Sequence, residues 1–123
     1  MERKTVIAGL RAYRSIENDI RQKMLFAKEA GEGGEYEKEA AALGRVKRAM
    51  IRCLNDLPQL ERDCLWEHYV KGELWVRICQ KHAYSERQIR NISNRGLDRL
   101  GKAFSRRPEL ARFCERTAAK DTY

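Results

Sequence analysis

Leu57 to Leu100 reads LPQLERDCLWEHYVKGELWVRICQKHAYSERQIRNISNRGLDRL, and the organisation of the whole chain follows from how this stretch folds. Its patterning predicts three helices: about Pro58 to Lys71, Leu74 to His82, and Ser85 or Glu86 to Phe104. The last two are joined by a tight turn. Ser85 can cap the third, its hydroxyl accepting from an otherwise orphan backbone N–H. Ile89, Ile92, Leu97 and Leu100 follow at spacings of three, five and three, close to one helix face. The other side carries Arg87, Gln88, Arg90, Asn91, Asn94 and Arg95. Those side chains are donor-rich, the chemistry that meets base edges and phosphates. An exposed helix seated on a compact helical pair is a helix-turn-helix, a shape that fits a major groove.

Outward from this stretch, the chain reads as all-α. A helix over 5–30 is predicted by Val6, Leu10, Tyr13, Ile16, Ile20, Met24 and Ala27 at spacings of three and four. Glu17 and Arg21 on its polar side suit an i,i+4 ion pair. Gly31-Glu32-Gly33-Gly34 then breaks the helix, as a reversal or a hinge. A second helix runs from about Tyr36 to Asn55, with Leu43, Val46, Met50, Cys53 and Leu54 along one side. The short connection predicts an antiparallel hairpin over residues 1–56, which packs on the next domain or on a second copy. Asp56 and Pro58 mark the boundary to the helix-turn-helix over 57–104. Residues 105–123 form a short basic helix carrying Leu110, Phe113 and Cys114, with Thr117 to Tyr123 frayed. Gly101 ends or bends the helix before it. Trp75 is expected as a core anchor, and Trp66 lies off the core face, under the hairpin or against a partner. Glu67 and Glu73 are expected in solvent.

The chain resembles region four of bacterial sigma factors. Within that group it is similar to small phage-encoded regulators that reuse the domain, of the ArpU and RinA late-transcription type. The matching residues are Leu57-Pro58, Glu61-Arg62, Cys64-Leu65, Tyr69, Gly72, Trp75 and Ile78-Cys79, then Ser85-Glu86-Arg87, Ile89-Arg90, Arg95-Gly96-Leu97 and Leu100. They cover the middle third of the chain. Four positions depart from the family pattern. Leu74 stands where a Ser or Thr cap is usual, His82 where Leu is common, Ala83 where Gly closes the turn, and Gly96 where Ala is usual. A left-handed backbone at Ala83 and a glycine within the helix each cost about 1 kcal/mol. The resemblance implies a sequence-specific DNA-binding transcription regulator, phage or prophage encoded, with RNA polymerase as a further partner.

Double-stranded DNA is the expected ligand on charge as well. The net charge is +8, and Ser85 to Lys120 holds ten Lys or Arg against four Asp or Glu, which leaves +6 in the last third. The sequence pI is 9.6. A basic helix of this kind favours a polyanion. Position along the helix sorts the contacts. Arg87, Gln88, Arg90, Asn91 and Asn94 are the candidates for base edges. Ser85, Arg95, Arg99, Lys102 and Arg106 are the candidates for phosphates. A homodimer through the hairpin is a further expectation.

Four cysteines, at 53, 64, 79 and 114, show no C-x-x-C spacing and read as reduced, buried thiols. Cys64 with His68 and Cys79 with His82 have spacings that could bring four zinc ligands together. Cys64 and Cys79 also fall on expected core positions, and core packing is the reading adopted, with no metal or other cofactor. No apolar run approaches membrane-spanning length, and no apolar segment follows Arg3-Lys4, so a cytoplasmic protein is expected, in the host cell if phage encoded. There is no phosphate-binding Gly loop after a strand, no paired carboxylates and no nucleophile–base motif, so no enzyme is expected. Two other readings compete: a small terminase-like DNA-packaging component, and a protein-interaction module that binds a host protein such as RNA polymerase.

Overall fold

The apolar stripes of this sequence recur at helical spacing over most of its length, and the computed structural model, which describes residues 1–31 and 34–120, is all-helical, with no strand among those residues. The elements are α1 (Arg3–Ala30), α2 (Glu35–Asn55), α3 (Gln59–Leu65) running on into a π-helical turn (Trp66–Val70), α4 (Trp75–His82), α5 (Glu86–Ser105) and α6 (Pro108–Lys120). No helix among the described residues is long and apolar enough to cross a membrane.

α1 and α2 lie antiparallel. Lys23 meets Glu39 at 2.7 Å, Phe26 meets Tyr36 with ring centroids 5.4 Å apart, and Glu17 hydrogen-bonds Lys47. The Glu17 carboxylate accepts from Lys47 on the facing helix rather than from Arg21, whose charge still favours the ionised form of Glu17. Of the loop that joins them, Glu32 and Gly33 lie outside the described residues. Gly31 leaves α1 at φ 86°, a left-handed value that suits glycine.

One core joins the hairpin to the helices after it. Val6, Leu10, Met50 and Leu54 pack in the same cluster as Leu65, Leu97, Leu100, Phe104, Leu110 and Cys114. The hairpin therefore packs back on the rest of the chain. A smaller cluster of Cys64, Ile78, Ile89 and Ile92 seats α4 against α3 and α5. Trp66 packs edge-on against Tyr13 of α1, at 5.3 Å. Only the far end of the hairpin leaves this core: Met24, expected on the buried stripe, is half exposed, as are its neighbours Leu25 and Phe26.

Three expectations about helix ends need correction. The third helix does not run as one α-helix to Lys71. Its last turn widens, with Lys71 N–H donating to Trp66 carbonyl at 2.9 Å, and ends at Gly72 with φ 79°. Glu67, expected in solvent, is buried instead, because its spacing of three from Cys64 puts it on the inward face of this helix. Gly101 does not end α5; it lies inside the helix, and a Cβ there would stand 2.8 Å from the Met1 carbonyl oxygen. Residues 117–120 are helical rather than frayed, with Thr117 Oγ1 donating to the Phe113 carbonyl at 2.9 Å. Residues 121–123 of that expectation lie outside the described residues.

Close helix approach makes a sharp test. A Cβ on Gly9 would stand 2.4 Å from the buried Cys114 Sγ, whereas one on Gly44 meets only Arg48 Nη1 at 3.4 Å. Gly9→Ala should lower stability by about 1–3 kcal/mol through overpacking. Gly44→Ala should raise it by about 0.5–1 kcal/mol through helix propensity. Urea denaturation of the two variants should give shifts of opposite sign.

Candidate nucleic-acid interface

The sequence Ser85-Glu86-Arg87-Gln88 is what starts α5 where it starts. Ser85 is extended, at φ −70° and ψ 161°, and its hydroxyl accepts from Gln88 N–H at 3.2 Å. The Gln88 side-chain carbonyl accepts from Ser85 N–H at 2.9 Å, completing a reciprocal cap. Two predicted DNA-contacting groups, the Ser85 hydroxyl and the Gln88 amide, thus hold the helix end first. What remains to them is the hydroxyl proton and the amide NH2. Before the cap, Ala83 takes the left-handed conformation usually given to glycine, at φ 59° and ψ 39°, and Tyr84 N–H bonds the Cys79 carbonyl. The turn keeps its shape and bears the steric cost.

α5 has 20 residues and is thus about 30 Å long. Ile89, Ile92, Ser93, Gly96, Leu97, Leu100, Gly101 and Phe104 are its buried side. At about 3.6 residues per turn, Arg87, Asn91, Asn94, Asp98 and Lys102 form one stripe opposite that side. All are exposed except Asn94, which is half-buried, and Arg95 stands beside them. Arg90 and Arg99 are nine residues apart, about two and a half turns, and so occupy opposite flanks. Arg90 pairs with Glu86 at 2.8 Å. Arg99 Nε lies 3.2 Å from the buried carboxylate of Glu61 on α3, an ion contact without hydrogen-bond alignment. The five residues expected at base edges are therefore not one surface. Arg87, Asn91 and Asn94 share the outward stripe, Gln88 lies at its edge, and Arg90 lies on a flank. Among those expected at phosphates, Lys102 and Arg95 face outward, Arg106 caps the far end, and Arg99 leans toward α3.

Sequence reasoning missed Arg3 and Asp98. Asp98 sits in the middle of the outward stripe, where a bare carboxylate would repel phosphate. Arg3, at the start of α1, meets it with two hydrogen bonds of 2.8 and 2.9 Å. That bonding holds the Asp98 carboxyl below the usual carboxylate range. Arg3, Gln88, Asn91, Asn94, Arg95 and Asp98 consequently line one shallow concavity. The partners are 95 positions apart in sequence, with no periodic signal connecting them.

Behind the turn, Glu67 locks α4 in place. Its carboxylate accepts from Lys81 at 2.8 Å and lies 3.2 Å from His82 Nε2. His82, which stands where Leu is common, thereby has a polar partner. Burial alone would raise the Glu67 carboxyl, but these two hydrogen bonds outweigh it and hold the group below its usual value. His68 stacks on Trp75, with centroids 3.7 Å apart, and its Nδ1 lies 2.7 Å from the Glu73 carbonyl. Each histidine of the Cys64–His68–Cys79–His82 set is thus engaged elsewhere. Among the described residues no group of three or more Cys, His, Asp or Glu converges on a point. Burial pushes the Cys64 thiol up to about 11, which keeps it protonated at neutral pH.

Comparison of the chain with protein families, with curated proteins and with solved structures found no match.

The Glu67 cluster predicts a pH-dependent effect. A carboxyl held below its unfolded value contributes stability that is complete above the unfolded value and lost as pH falls through the folded one. Glu67→Gln should therefore cost about 1–3 kcal/mol at pH 7. The difference from the parent should shrink steadily below pH 5. Denaturant titrations at pH 7, 5 and 3 measure it; a constant difference would mean that the charge on Glu67 contributes nothing.

Proposed function

We propose that this protein is a sequence-specific, double-stranded-DNA-binding transcription regulator that seats α5 in the major groove as the second helix of a helix-turn-helix. The observation that carries the reading is the stripe Arg87, Asn91 and Asn94. It presents guanidinium and amide donors outward from a helix whose other side is buried. The chemistry suits the groove. Arginine bonds a guanine edge bidentately and asparagine an adenine edge, each such pair being worth about 1–3 kcal/mol of discrimination. Arg95 and Lys102 beside the stripe suit phosphates. The Arg3–Asp98 pair supports the reading by neutralising the carboxylate on that surface. RNA polymerase is the second partner that the resemblance to sigma region four implies, as is a phage or prophage source.

The homodimer reading has its own support. The far end of the hairpin exposes Met24, Leu25, Phe26 and Tyr36. Arg21 and Lys28 stand on one wall of the apolar groove there, and Glu37 on the other. A second copy related by a two-fold axis would set the cationic wall of each against the anionic wall of its mate. Two reading helices would then favour an inverted repeat.

Selection of bound sequences from a random duplex pool tests the reading, followed by titration of variants at several salt concentrations. An enriched motif is expected. Arg87→Ala should reduce the preference for that motif over a scrambled site by about 1–3 kcal/mol. Lys102→Ala should leave the preference intact and lower the salt slope by about one unit. Enrichment of nothing, together with variants that behave as the parent, would overturn the proposal.

A further inference from the structure

A second concentration of positive charge lies off the outward stripe of α5. It lies at the corner where α5 turns into α6 against α2. Arg45, Arg48 and Arg52 recur along one side of α2, and Arg106 and Arg107 form the corner itself. Together they surround an open cleft of about 420 Å³. Arg45 is taken by Glu109, through bonds of 2.9 and 3.0 Å. Arg107 is close enough to the Cys53 thiol for its charge to act on it. Arg48, Arg52 and Arg106 are exposed, and among the described residues no carboxylate forms an ion pair with any of the three. Like charges at neighbouring helical positions destabilise, so Arg48 beside Arg52 does not add to the stability of α2.

The cleft has a second source of positive potential. Arg107 carbonyl accepts from Ala111 N–H at 2.9 Å, which makes Arg107 the residue before α6. Pro108 has no N–H, and the N–H groups of Glu109 and Leu110 precede the first intrahelical bond, so both lack a helical partner. α6, a helix of 13 residues, therefore points its N-terminus into a cleft already ringed by guanidinium groups. Guanidinium forks and helix N-terminal amides both match the tetrahedral oxygens of a phosphate group.

Location assigns the source of that phosphate. Arg95, Arg99, Lys102 and Arg106 recur at spacings of four, three and four along one side of α5. They lead from the proposed reading surface to the cleft over about 16 Å. With Asp98 paired to Arg3 and Glu61 to Arg99, no unpaired carboxylate of α5 interrupts this track.

We propose that the cleft is a phosphate-binding site in which Arg48, Arg52 and Arg106 grip a backbone phosphate of the duplex held by α5. The inference rests on the reading given under Proposed function. It makes the hairpin a part of the binding surface, with α2 as a clamp beyond the groove, and it lengthens the contacted duplex.

The experiment has two arms. In the first, the full chain with nitrogen-15-labelled arginine is titrated with inorganic pyrophosphate, against sodium chloride of equal ionic strength. Saturable shifts of the Arg48, Arg52 and Arg106 Nε–H signals are expected with pyrophosphate only. In the second, the parent and an Arg48→Ala/Arg52→Ala variant of unchanged circular dichroism are titrated with duplex DNA over a range of salt. The variant's salt slope should fall by about two units. Its ratio of affinities for selected and scrambled sites should be unchanged. An unchanged slope in a variant that still binds DNA overturns the site while leaving the DNA reading in place. Saturable pyrophosphate shifts in a parent chain that binds no duplex overturn the DNA reading and assign the cleft to a free phosphoryl ligand instead. No response in either arm overturns both.

Discussion

α5 touches every other helix of the protein, so its buried side, from Ile89 to Phe104, sets where the others can lie. Burying one such side chain contributes about 1.5–3 kcal/mol, far more than any surface ion pair here. Two glycines set how closely the neighbours come. A Cβ on Gly96 would stand 2.9 Å from Leu65 Cδ1 of α3, and one on Gly101 would meet the Met1 backbone. The helix propensity lost at Gly96 is thus offset by contact with α3. The same approach brings Arg3 within reach of Asp98 and Glu61 within reach of Arg99. Packing on one side of α5 consequently fixes the electrostatics of the other.

Much of this was legible in the sequence, and the parts that were not share a cause. Apolar spacing located every helix, because a stripe at three and four needs only local periodicity. The Ser85–Gln88 cap was half legible: Ser85 was recognised as the cap, whereas Gln88 was assigned to bases although the same spacing completes the box. Arg90, counted with Arg87 among the base-edge candidates, stands three residues further on, and its bond to Glu86 holds it to one flank of the stripe, a pairing the sequence expectations did not include. Glu67 was misplaced because its charge was read as solvated, although it stands three residues after the buried Cys64, where Lys81 and His82 of α4 meet its carboxylate. Arg3–Asp98 and the Arg48–Arg52–Arg106 cleft bring together residues from opposite parts of the chain. Those contacts exist only once the core has formed.

Charge at this surface is sorted rather than merely abundant. Glu61, Glu67, Glu86, Asp98 and Glu109 each meet a cation at 3.2 Å or less. On α5 and at the corner it leads to, Arg87, Arg95, Lys102, Arg106, Arg48 and Arg52 are exposed and form no ion pair among the described residues, and the same holds of cations elsewhere such as Arg14, Arg21 and Arg77. Such a distribution concentrates the field where a long polyanion would lie, and it predicts binding that weakens steeply with salt. The outward amides of Asn91 and Asn94 add no charge, and they are the groups through which sequence would be distinguished.

Backbone amide NMR of the full chain, titrated with a selected duplex and with a scrambled one, tests the central claim most directly, that α5 is the DNA-reading element. With the selected duplex, the largest shifts should fall on the first three turns of α5, around Arg87, Asn91 and Asn94, and extend to Arg3. With the scrambled duplex, shifts at Arg95, Lys102 and the α5–α6 corner should persist while those at Asn91 and Asn94 shrink. Shifts confined to the far end of the α1–α2 hairpin, or identical for the two duplexes at every residue of α5, would contradict the account.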